Sequence, residues 1–149
     1  VDERKRAEKR VDDLGFELAK HLAGDVWQEM KSSDAALFVK HVHRTDDSVN
    51  PLVFLSAITT AFANIIPAER PFVLIFSSSP SSQTSTSTSV LLVFGSDEKC
   101  VKPAGDLLKG KLNVKGGGKG TRWSGRFTGV WREGREDAVV SEVLKAIST

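Results

Sequence analysis

The sequence predicts an α/β fold: a small mixed β-sheet packed with helices and preceded by a long N-terminal helix. Three observations predict it. Residues 3–31 hold strong helix formers and no proline. Runs dense in β-branched and aromatic residues at 36–43, 71–76 and 90–95 read as buried strands. Amphipathic segments separate those runs and close the chain. With 149 residues, 40% of them hydrophobic and 27% charged, and with no internal repeat, the chain is sized for one core.

The elements follow in order. In the first helix Val11, Leu14, Leu18 and Leu22 form one apolar stripe, and Phe16, Ala19, Ala23, Trp27 and Met30 form a second that begins later. A polar first third therefore projects, and the half behind it packs on two sides. This divides the chain into a helical arm, 1–31, used as linker or dimerisation helix, and an α/β domain, 32–149. Gly15 and Gly24 weaken the helix and mark either the close approach of another element or a break near Gly24. After the strand at 36–43, Asn50 and Pro51 supply an N-cap and a first-turn proline, and Leu52, Leu55, Thr59, Phe62 and Ile66 make a helical stripe ending at Pro67.

The strand at 71–76 completes a strand–helix–strand unit, which is parallel and right-handed in nearly all cases. The Ser/Thr tract at 77–89 is expected to be a mobile loop, because it buries too little apolar surface to offset its ordering entropy. It would form the overlong tip of a hairpin with the strand at 90–95. A short helix is expected over 103–112, interrupted by Gly105 and Gly110, and then a glycine loop. A strand over 125–132 places Phe127, Gly129 and Trp131 on one face. The last helix buries Val140, Val143, Leu144 and Ile147, and Glu136 and Asp137 sit in its first turn, where the helix dipole favours acids.

Composition excludes several classes. Cys100 is the only cysteine, so neither an internal disulfide nor a zinc site of paired cysteines can form. No apolar run reaches the roughly 18 residues of a membrane span, and the first residues lack the apolar core of a signal peptide. The expectation is a soluble, cytoplasmic chain with no membrane partner. Its start at Val1 reads as a processed product or a domain of something longer.

The functional clue is the segment KGGGKGTRWSGRFTGVW, residues 115–131. The net charge is only +2, yet residues 102–135 carry nine basic groups against Asp106 and Glu133. Gathered on one face, such a gradient attracts polyanions. Gly116, Gly117, Gly118 and Gly120 let a ligand approach backbone N–H groups, which can form an anion-binding nest. Lys115, Lys119, Arg122 and Arg126 add charge, and Trp123 offers a ring on which a base or ribose can stack. The spacing is neither that of a P-loop nor of a dinucleotide-binding fingerprint.

This segment resembles the DHH-associated domain at the end of alanyl-tRNA synthetases and of AlaX-type alanyl-tRNA editing proteins. Lys115 to Gly120 and Gly125 to Gly129 carry the resemblance most strongly, within residues 90–131. It implies a tRNA-binding and dimerising accessory domain. Binding roles pass to Lys115, Gly116, Gly117, Gly118, Lys119, Gly120, Gly125, Arg126 and Gly129. It implies no catalytic residue in this chain, because the HxxxH and CxxxH zinc patterns of the family's editing domains are absent. Zinc and the hydrolysis of misacylated tRNA would belong to an upstream editing domain, and this chain would hold no cofactor of its own.

Two other readings compete. His41 and His43 share a strand face, with Asp46 and Asp47 just beyond, and two imidazoles plus carboxylates can hold a divalent metal for phosphodiester hydrolysis. Alternatively the chain is a protein-interaction module that self-associates through the N-terminal helix, the basic segment being incidental. No histidine has a local context tying it to a serine or cysteine nucleophile.

Overall fold

The structure, a computed structural model, describes residues 2–34, 36–46, 51–65, 71–132 and 134–148, with the side chains of the first helix from Phe16 onward. The element order is α1 (Asp2–Ser32), β1 (Phe38–Thr45), α2 (Pro51–Ile65), β2 (Phe72–Ser79), β3 (Thr88–Gly95), α3 (Glu98–Leu112), β4 (Lys115–Lys119), β5 (Arg122–Thr128) and α4 (Glu136–Ser148). The five strands form one mixed sheet in the order β1-β2-β3-β5-β4. β1 and β2 are parallel, as the crossover through α2 predicts, and the remaining pairs are antiparallel.

Helices cover both faces of the sheet. On one, Ala19, Ala23 and Met30 of α1 and Leu55, Ile58 and Phe62 of α2 pack on Phe72, Leu74, Phe76, Leu92 and Phe94. On the other, Val101, Ala104 and Leu108 of α3 and Val140, Val143 and Leu144 of α4 pack on Val73, Ile75, Leu91 and Val93. Side chains of a strand alternate between faces, so the central β2 is buried along its whole length.

Four expectations change. α1 runs unbroken through Gly24, so no break forms there, while its second half, Ala19 to Met30, packs in the core as the stripes predict. The hydroxyl tract is a loop only over residues 80–87. Ser77, Ser78 and Ser79 extend β2, Thr88 and Ser89 begin β3, and Ser77, Ser78, Ser79 and Ser89 are buried.

Third, α3 starts before Pro103, at Glu98, because the Asp97 carboxylate accepts the Lys99 amide at 3.0 Å and caps it. It ends where Asn113 adopts the left-handed conformation. Gly105 does not interrupt this helix. Fourth, the glycine loop is a strand, β4, and β5 begins at Arg122 and ends at Thr128, so Gly129 and Trp131 lie beyond it. Asn50, Ile66 and Pro67, expected to bound α2, lie outside the described residues.

Candidate nucleic-acid interface

The β4–β5 hairpin forms one edge of the sheet, with Lys115 opposite Arg126, Gly117 opposite Ser124 and Lys119 opposite Arg122. Gly116 and Gly118 answer to backbone crowding, whereas Gly117 has open space where its Cβ would stand. A Cβ on Gly116 would lie 2.2 Å from the Ser124 carbonyl oxygen, and one on Gly118 would lie 2.3 Å from that of Arg122. Gly120 turns the hairpin at φ +69°. One side of β4 pairs with β5, and the other, as in any outermost strand, presents N–H and C=O groups without a strand partner.

Lys115, Lys119, Arg122 and Arg126 are all exposed on this hairpin. Among the described residues, Lys102, Lys109, Lys115, Lys119 and Arg126 enter no ion pair. Arg122 is steadied by the Phe94 ring, 5.3 Å from its guanidinium carbon, and by Thr60 Oγ1 at 3.5 Å. Two clefts flank the hairpin. One, of about 560 Å³, lies between it and the start of α2 and is lined by Lys115, Gly116, Gly125 and Arg126 with Leu52 and Ser78. The other, of about 270 Å³, is shared with α3 and lined by Lys102, Lys109, Gly117, Gly118, Gly120 and Arg122.

The remaining expected binding residues are structural. Trp123 is 6% exposed and is not a stacking platform, because both its surroundings are made of glycine slots. A Cβ on Gly105 would come within 2.8 Å of its ring, and one on Gly125 within 2.7 Å. Gly129 ends β5 at φ +133°, a conformation that favours glycine.

A second polar cluster occupies the α4 face of the sheet. Ser77 Oγ lies 2.7 Å from both His41 Nε2 and His43 Nδ1, so its hydroxyl donates to one ring and accepts from the other. Ser79 Oγ continues the chain, 3.2 Å from His43 Nε2 and 2.8 Å from Ser89 Oγ. The His43 ring stacks on Trp131 at 4.9 Å, and Trp131 Nε1 donates to Asp137 Oδ1 at 2.7 Å. Burial lowers the His41 pKa to about 4, with His43 and Lys40 adding to the effect and Asp137 opposing it.

His41, His43 and Asp137 hold potential ligand atoms within 4.8 Å of one another. The carboxylate that joins the histidines thus comes from α4. Asp46 is not in this group, and Asp47 lies outside the described residues. Nothing in the local sequence announces Asp137, which is brought in by the packing of α4 on β1. Hydrogen bonds already engage both His43 nitrogens, His41 Nε2 and Asp137 Oδ1, so the cluster is satisfied without an ion. It is also remote from the cations: β1 and β4 are opposite edges, four strand spacings or about 19 Å apart.

No family model matches the chain, and no curated protein is significantly similar to it. Among solved structures it is similar to the histidine kinase domain from the Erythrobacter litoralis EL346 blue-light activated histidine kinase, at 13% identity and a TM-score of 0.29. That likeness covers 86% of this chain and 65% of the other. It carries no argument about chemistry. Among the described residues, no helix is long and apolar enough to cross a membrane.

Proposed function

We propose that this chain is a tRNA-binding accessory domain that grips the phosphate backbone along the β4–β5 hairpin and the adjoining face of α3. The observation that carries the reading is the set of exposed cations without ion-pair partners among the described residues, Lys102, Lys109, Lys115, Lys119 and Arg126, around two clefts at a glycine-lined edge. Backbone-width strand and small side chains let a ribose-phosphate chain come close, and the lysines and arginines neutralise it. The resemblance of residues 115–120 and 125–129 to the terminal domain of alanyl-tRNA editing proteins favours tRNA among nucleic acids. Hydrolysis would then be the work of a separate editing domain.

The test is a titration of the chain with intact tRNA and with a length-matched duplex over a salt series. Affinity falls by about 0.7 to 0.9 log units per tenfold salt for each phosphate contacted, and tRNA binds more tightly than the duplex. An affinity indifferent to salt removes the proposal. Self-association belongs to the same reading: Phe16 and Leu18 of α1 are 51% and 42% exposed, apolar side chains that a second copy could cover. Sedimentation with and without residues 1–12 checks it, and a monomer in both cases removes the dimer.

A further inference from the structure

Resting on the phosphate-binding reading of the hairpin, we propose that the cleft between β4–β5 and α2 holds a discrete site for one phosphate group, built from Ser78, Arg126 and the first amides of α2, with Arg44 beside it. Two atoms point to it. Among the described residues, the buried side-chain N and O atoms without a hydrogen-bond partner are Ser78 Oγ and Arg44 Nη1. Arg44 and Ser78 are directly opposite each other in the parallel β1–β2 register. An unmet buried donor or acceptor costs about 1–3 kcal/mol, so two at one register level are a defect unless something outside the chain completes them. The neighbouring serines sharpen the point. Ser77 and Ser79, which face the other way, are both bonded within the protein.

The surroundings fit an anion. Ser78 is 2% exposed yet lines the cleft of about 560 Å³, together with Lys115 and Arg126. Arg44 is held in place by the Phe54 ring, 4.7 Å from its guanidinium carbon. α2 presents its N-terminus here through Pro51 and Leu52 and has no acid in its first turn, so the positive end of its dipole is not neutralised from within. Asp46 also lines the cleft and opposes an anion, but it has a partner of its own and is outnumbered by Lys115 and Arg126. A hydroxyl donor, a planar guanidinium and helix amides are the groups that hold a phosphate with fixed geometry, whereas exposed lysines alone give diffuse attraction.

Amide NMR of the full chain titrated with inorganic phosphate tests the site. Saturable shifts centred on Leu52, Ser78 and Gly116 are expected. Ser78→Ala and Arg126→Met each weaken phosphate binding about tenfold, as loss of a charge-assisted hydrogen bond does. Ser78→Ala removes an unsatisfied group, so it leaves the thermal midpoint of the ligand-free protein the same or higher. Short RNAs with and without a 5′-phosphate separate the sources: preference for the phosphorylated one assigns a terminal phosphate, and equal binding with the same shifts assigns an internal diester. Shifts that do not saturate, or that spread over Lys102, Lys109 and Lys119, overturn the proposal, as do both variants binding phosphate unchanged. Failure here with a steep salt dependence for tRNA leaves the backbone reading standing. Phosphate bound at these residues without tRNA binding supports this site and removes that reading.

Discussion

Two polar regions of this molecule are built from similar side chains and end in opposite states. On the α4 face, His41, His43, Ser77, Ser79 and Ser89 form one internal chain of hydrogen bonds, closed off by Trp131 and Asp137. At the β4–β5 edge and in the cleft beside it, cations stand without ion-pair partners and Ser78 Oγ is left unbonded among the described residues. The histidine cluster draws the eye as chemistry, yet its groups satisfy one another. Unmet polar capacity, rather than a gathering of reactive residue types, is what supports the proposal of a partner on that side.

If this contrast is right, damage to each region has a separate readout. The largest effect is on binding: replacing Lys115, Lys119 and Arg126 together with alanine lowers the slope of log affinity against log salt by about 2 to 2.7, with stability changed by less than about 0.5 kcal/mol. Salt-series titration and urea unfolding measure the two. The histidine region instead answers to pH. His41 takes up a proton near pH 6.5 in the unfolded chain but only near 4 in the folded one, so the unfolded state binds more protons between those values. Stability is full above about pH 6.5 and falls as pH drops toward 4, by up to about 3 kcal/mol. His41→Gln should flatten that profile, and a profile unchanged in the variant would assign the acid sensitivity elsewhere.

Smaller effects sharpen the division. Ser77→Ala leaves two imidazole nitrogens without their partner and destabilises by about 2 kcal/mol while tRNA affinity stays the same. A parallel loss of affinity would mean the two regions are coupled. The smallest concerns the start of α4, where buried Glu136 accepts Arg135 Nε at 2.6 Å and the Arg132 amide at 2.9 Å. Burial alone would raise its pKa, but these hydrogen bonds and the Arg135 charge outweigh it and hold the carboxylate below its usual range. Glu136→Gln should cost about 1 kcal/mol at neutral pH, read as a drop in the urea midpoint.

The sequence made the framework legible because its cues are local. The β-branched run at 71–76, the proline-started stripe of α2 and the acids opening α4 each declare an element without reference to the rest of the chain. What it hid depends on distant neighbours. Ser77 to Ser79 look like loop until His41, His43 and Ser89 are placed beside them. Gly116 and Gly118 look like freedom until the close approach of β5 shows them to be a requirement. Trp123 looks like a platform until Gly105, on α3, opens a slot for it. Of the candidate interface, the cations of the hairpin were readable from charge density alone. Ser78 and Arg44 were not, because a group's lack of partners is a property of the folded arrangement only.

The glycine strand at the rim carries a further consequence. Stripped of side chains in its middle, β4 would be an inviting template for another molecule's strand, and Lys115 and Lys119 bracket it with like charge that repels a second copy. Acetylation of both trades that electrostatic guard for a bare ribbon. The same two amines that would recruit a ligand therefore also keep the domain from stacking edge to edge.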